Sequence, residues 1–144
     1  REVTQATGQG RAILVCHSMG GLAARAYLRA HGADRVAGIV TLGSPHHGTV
    51  LAVLGAGRNA RQMRIGSDFL RDLERSEGEG GPGCAAVSVY TVHDNLVAPQ
   101  DSSRLAWARN VSLHGVGHLA MLLDARVHQA VVDEVARLRA RPGT

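Results

Sequence analysis

The chain has 144 residues, 44% apolar and only 3% aromatic, with a formal net charge of +4; this is one domain's worth of chain or less, with a core built from aliphatic side chains. No run of about 18 apolar residues occurs, so no membrane span is expected in this stretch. All 16 basic residues are arginines, scattered rather than gathered into a stripe with interleaved aromatics, which argues against a nucleic-acid partner.

Residues 1–8 read as the tail of a helix ended by Gly8 and Gly10, and Ala12 to Cys16 is a continuous apolar run, as expected of a strand covered on both faces. It enters Cys16-His17-Ser18-Met19-Gly20-Gly21, a serine among small residues followed by a helix. This is the pattern G-x-S-x-G with Cys16 in the first small position and Gly20 in the second, the turn that presents a serine hydroxyl at the tip of a strand. Cys16 is expected to crowd that turn more than glycine. The helix would place Leu22, Ala23, Ala26, Tyr27 and Ala30 on its apolar face, with Arg25 and Arg29 off it, and stop at Gly32. Val36 to Leu42 is a second apolar strand. Strand, helix, strand in this order predicts a parallel sheet with right-handed crossovers.

Gly43-Ser44-Pro45-His46-His47-Gly48 is a rigid polar turn, and Thr49 to Gly66 has no clear period. Ser67 is a good cap for a helix over Asp68 to Arg75, with Phe69, Leu70 and Leu73 as a narrow apolar face and Asp68 suited to the first turn. Ser76 to Gly83 is a loop, Ala85 to Val92 a third strand and Val111 to Leu113 a short fourth. Val127, Val131, Val135 and Leu138 space out one face of a closing helix that ends before Pro142-Gly143. Cys16 and Cys84 fall at opposite ends of their strands, about 15 to 20 Å apart, beyond disulfide reach, and are expected to be free thiols.

A serine hydroxyl is a poor nucleophile unless a base lies within hydrogen-bond reach, itself oriented by an acid. In a parallel sheet all strand C-termini open on one edge, so partners are sought just after later strands. Asp94 follows the third strand and His118 lies in a Gly-rich loop after the fourth, so the chain order is Ser18, Asp94, His118. Asp101 and Asp68 are rivals to Asp94, the first further past the strand end and the second explained by helix electrostatics. His114 competes with His118 but would emerge at the very strand end, whereas His118 has glycines that let its loop fold back over Ser18. The Met19 N–H, at a helix N-terminus, is placed to donate to an oxyanion. Adjacent His46 and His47 point apart and no Cys or carboxylate cluster completes a metal site, so turn packing is their expected role. His93 and His128 carry no assigned role.

Cys16-His17-Ser18-Met19-Gly20-Gly21 resembles the lipase elbow G-H-S-M-G-G, and Leu42 to Thr49 resembles the L-G-T-P-H-x-G-T segment of bacterial triacylglycerol lipases. Asp94-Asn95-Leu96-Val97-Ala98-Pro99 is similar to the acid loop of that family and Gly117-His118-Leu119 to its histidine loop. The resemblance implies a three-layer α/β-hydrolase fold, of which this chain is the C-terminal part: elbow 12–21, a possible lid or pocket segment 49–66, acid loop 93–101 and histidine loop 114–119. It implies an ester or lipid-ester hydrolase with Ser18 as nucleophile, His118 as general base and acid, Asp94 as its orienting carboxylate, Met19 as one oxyanion donor, and no cofactor or metal. The compact 49–66 segment favours a small or open acyl pocket. Acyl transfer or lipid deacylation on the same residues is the runner-up, and a non-catalytic binding module a third reading.

The opening Arg1-Glu2-Val3 carries neither Met nor a signal pattern, which leads us to expect that earlier strands and the second oxyanion donor lie upstream, and leaves localisation open. On that reading the 144-residue piece alone would be poorly active, and Ala12 to Cys16 would form an apolar edge prone to aggregation.

Overall fold

The computed structural model describes Ala6, Gly8 and residues 10–141; most of the helix tail expected over residues 1–8, and the Pro142-Gly143 stop, lie outside them. Among residues 10–141 there are four strands, β1 (Ala12–His17), β2 (Val36–Leu42), β3 (Ala85–Thr91) and β4 (Arg109–Leu113), and four helices: α1 (Met19–His31) after β1, α2 (Gly57–Gln62) and α3 (Asp68–Glu77) after β2, and α4 (Ala125–Arg139) after β4. Single 3₁₀ turns occupy Val50–Val53, Gln100–Ser103 and Ala120–Leu122.

The sheet is parallel throughout and ordered β1-β2-β3-β4. Every residue of β2 is buried, which accounts for a sequence that is apolar except for Thr41; a strand covered on both faces has no polar side to show. Neighbours along a strand face opposite layers, and the core divides accordingly. Val40, Leu42, Val87 and Val89 pack with Val127 and Leu138 of α4. Ile39, Val36 and Ala86 pack with Ala24 and Leu28 of α1 on the other face. A third cluster, Leu22 with Leu70 and Leu73, seats α3 on α1. β1 lies at an edge of this sheet, with Val15 49% exposed.

Local signals account for most element ends. Ser67 caps α3, its Oγ accepting from the Leu70 N–H, and Asp124 caps α4 by accepting from the Arg126 N–H; each satisfies a first-turn donor that the helix leaves unpaired. The fourth strand starts two residues earlier than expected, at Arg109. Cys16 and Cys84 are both free thiols, and burial raises both pKa values.

The face assigned to α1 needs correction. Gly21, Leu22, Ala24, Arg25 and Leu28 are its buried residues, whereas Ala23, Tyr27 and Ala30 are exposed. The helix is rotated because Arg25, at i+3 from both Leu22 and Leu28, has a buried carboxylate to meet. Its Nε and Nη2 each donate to Glu77 of α3 at 2.7 Å. Small alanines tolerate exposure at little cost, so an inward charge pair decides the rotation.

Candidate active site

Ser18 is the only non-glycine residue with positive φ among those described (φ 53°, ψ −126°). An L-residue there costs about 1–3 kcal/mol and persists only where the surroundings impose it. Here the Ser18 N–H donates to Leu42 O at the end of β2 (2.8 Å), and α1 starts at the next residue. The Ser18 side chain makes no capping bond to α1, which leaves its hydroxyl uncommitted. The tight turn needs bare neighbours. A Cβ on Gly21 would lie 2.8 Å from Ser44 Cβ and 2.9 Å from Thr41 Cγ2, so glycine lets α1 press onto β2. At Gly20 a Cβ would meet Cys16 Cβ at an ordinary 3.6 Å; with glycine there, Cys16 has more room still.

The loop after β3 and the loop after β4 meet over Gly43. Asp94 Oδ2 accepts from His118 Nδ1 at 2.8 Å, with both side chains 2% exposed. The other carboxylate oxygen, Oδ1, accepts from the Leu96 and Val97 N–H groups at 2.8 and 2.7 Å. A Cβ on Gly43 would stand 3.1 Å from Asp94 Oδ2 and 3.2 Å from His118 Nδ1, which is why the strand turns out of β2 on glycine. Burial works against the charge on Asp94, but the bond from His118 and the two backbone donors outweigh it and hold the carboxyl below its ordinary value. The imidazole therefore faces an ionised acid.

His118 is held at three further points. Its N–H donates to Asn95 Oδ1 (3.2 Å), its carbonyl accepts from His17 Nε2 (3.1 Å), and its ring lies 4.7 Å from the His17 ring. Burial lowers the His17 pKa, and a bond to a carbonyl requires the hydrogen on Nε2. His17 was legible only as part of the elbow; its hold on the histidine loop spans 101 residues.

Asp94 and His118 are thus brought together over Gly43; the Ser18 N–H is bonded to Leu42 O, one residue before that glycine, and His17, one residue before Ser18, is bonded to the His118 carbonyl. No hydrogen bond joins the Ser18 hydroxyl to the His118 ring; in unliganded sites that contact is commonly long and tightens with substrate. The rivals are elsewhere. Asp68 is exposed and pairs with Arg71, Asp101 is exposed in its 3₁₀ turn, and His114 is exposed beside His93. His93 Nδ1 accepts from the Gly115 N–H and His128 donates to Leu122 O.

Beneath the 43–48 turn lies a polar cluster that sequence reasoning missed. His46 is fully buried; its Nε2 donates to Thr41 Oγ1 (3.0 Å) and its carbonyl accepts from Arg25 Nη1 (2.9 Å). His47 points the other way, bonding Glu74 Oε1 and Arg104 O. No group of three or more metal-ligating side chains occurs among the described residues.

Burial, then the Arg25 charge and that of His47, push the His46 pKa well below 6.5. The unfolded chain takes up a proton that the folded one refuses, so stability is expected to fall as pH drops below about 6.5, by up to about 1.4 kcal/mol per pH unit from this group. His17, also lowered, adds with the same sign. Urea midpoints between pH 8 and about pH 5 check this, and His46→Gln should flatten the slope. An unchanged slope in that variant would place the effect elsewhere.

A family model described as a PGAP1-like alpha/beta domain matches residues 3–60, the part that holds the elbow and β2. A lipase of Bacillus licheniformis in mature form superposes with a TM-score of 0.74 at 18% identity, over 96% of this chain and 69% of that one. A monoacylglycerol lipase of Paleococcus ferrophilus gives 0.64 at 15% identity, over 95% and 72%. The esterase domain of a Rhodothermus marinus protein gives 0.60 at 20% identity, over 96% of this chain and 65% of that one. The chain therefore spans between 65% and 72% of the length of these structures, and at such identities the likeness is one of fold.

Proposed function

We propose that this chain, which has the α/β-hydrolase fold, carries the catalytic residues of a serine hydrolase that cleaves carboxylic esters. The observation that carries the reading is the buried Asp94–His118 bond of 2.8 Å, with His118 in turn bonded by His17, the residue before a serine held at positive φ. A strained serine with an uncommitted hydroxyl and an imidazole already oriented by a carboxylate are the parts that nucleophilic catalysis needs.

In the proposed reaction Ser18 Oγ attacks the acyl carbonyl while His118 Nε2 takes its proton, and Asp94 steadies the resulting imidazolium. The Met19 N–H, at the positive end of α1, donates to the oxyanion. His118 then protonates the departing alcohol, and water, activated by the same imidazole, releases the acid from Ser18. On this reading the 49–66 segment borders the acyl group; the bonds of Thr49 Oγ1, which donates to Leu96 O and accepts from the Ala98 N–H in the acid loop, support it.

A fluorophosphonate probe should label the protein at Ser18 and lose that label in Ser18→Ala, together with turnover of short-chain esters. Labelling and turnover that persist in the variant would remove Ser18 from the reaction.

A further inference from the structure

Past Thr49 and before α3 the chain makes an excursion that buries little. Of residues 50–61 only Ala52 and Ala60 are buried; they turn inward while the rest of the 3₁₀ turn and α2 faces outward. Val50, Val53 and Leu54 are 50%, 63% and 86% exposed, and Ile65, just beyond, 53%. Scattered exposed aliphatics need no explanation, but a run of them on one short segment does.

The same segment is cationic. Residues 50–67 contain Arg58, Arg61 and Arg64 and no acid, and none of the three forms an ion pair among the described residues. They line a groove of about 480 Å³ whose floor includes Ile65 and Phe69. The nearest acid on it, Asp68, is engaged by Arg71 at 2.6 Å, so the groove keeps its positive charge. Aliphatic side chains at a tip with unneutralised guanidinium groups beside them match a surface that is apolar within and anionic at its face. A nucleic acid would call for free aromatic stacking partners; the one aromatic lining the groove, Phe69, is packed against the Leu22, Leu70 and Leu73 cluster.

We infer that residues 50–65 form a peripheral docking surface for an anionic lipid bilayer, with Val53 and Leu54 entering the headgroup region and Arg58, Arg61 and Arg64 pairing with lipid phosphates. The hydrogen bonds of Thr49 to Leu96 and Ala98 tie this surface to the loop that carries Asp94, so docking would set the candidate site against the membrane. The inference concerns binding alone and stands apart from the hydrolase reading.

Sedimentation of the protein with vesicles tests it, using Ser18→Ala so that no lipid is consumed. Partitioning onto phosphatidylcholine vesicles holding about 30% phosphatidylglycerol should exceed that onto pure phosphatidylcholine by roughly 100-fold for three cationic contacts. It should collapse at about 0.5 M salt. Arg58→Gln/Arg61→Gln/Arg64→Gln should abolish the anionic preference, and Val53→Ser/Leu54→Ser should weaken binding to both vesicle types; all five positions are exposed, so unchanged thermal melting will show that the variants fold. Equal partitioning onto the two vesicle types, no partitioning onto either, or a triple variant that binds like its parent would overturn the inference. Full competition by polyglutamate with no effect of Val53→Ser/Leu54→Ser would do so too, and would point to an acidic protein partner.

Discussion

Asp94→Asn is expected to lower kcat/KM for ester hydrolysis by roughly 10⁴-fold, with far-ultraviolet circular dichroism unchanged. The reason lies in how the two carboxylate oxygens are used. Oδ1 accepts from two backbone N–H groups, of Leu96 and Val97, and Oδ2 accepts from His118 Nδ1. An asparagine must turn its oxygen toward the two backbone donors, because its NH₂ there would face two hydrogens. The NH₂ then faces His118 Nδ1 and forces that nitrogen to be the acceptor. The ring proton moves to Nε2, the atom that takes the proton of Ser18 in the proposed reaction. A fold-intact protein with an imidazole in the wrong tautomer results. Turnover within about tenfold of the parent would show that Asp94 does not orient the base.

The largest effect on stability is expected at the buried ion pair of α1 and α3. Arg25 and Glu77, 0% and 3% exposed, meet through two bonds of 2.7 Å. Glu77→Leu leaves the guanidinium buried with the His46 carbonyl as its remaining strong acceptor, and breaking such a pair costs about 3–5 kcal/mol. Against a typical total of about 5–15 kcal/mol that is a large fraction. The double variant Arg25→Met/Glu77→Leu removes both charges and should regain most of the loss, because an apolar pair of similar volume needs no desolvation. Urea unfolding of the three proteins decides the matter. A Glu77→Leu variant as stable as its parent would mean that water reaches Arg25.

The elements themselves were legible because their signals are local. The apolar run Val36–Leu42 is the whole of β2, Ser67 caps α3 as its sequence suggests, and Val127, Val131 and Val135 of α4 face the core. The 49–66 stretch was illegible for the same reason. Its short 3₁₀ turn and six-residue helix are too brief to set up a period, and their exposed aliphatics break the rule from which a period is read.

For the candidate site, the order Ser18, Asp94, His118 and the glycines beside Ser18 and His118 were visible in one dimension, and with them the edge of the sheet on which partners had to be sought. Which acid meets which histidine was not. Asp68, Asp94 and Asp101 are chemically alike in the sequence, and only the packing of two loops over Gly43 brings one of them to His118 across 24 residues.

The sequence by itself determined the strand and helix succession, the capped ends and the sharp serine turn, since each depends on side chains within a few positions of one another. The tertiary structure alone decided the rotation of α1, the burial of Arg25 against Glu77 and the grip of His17 on the histidine loop. These joins span 52 and 101 residues. Their strength comes from exclusion of water, which no stretch of chain can arrange until the layers close around it.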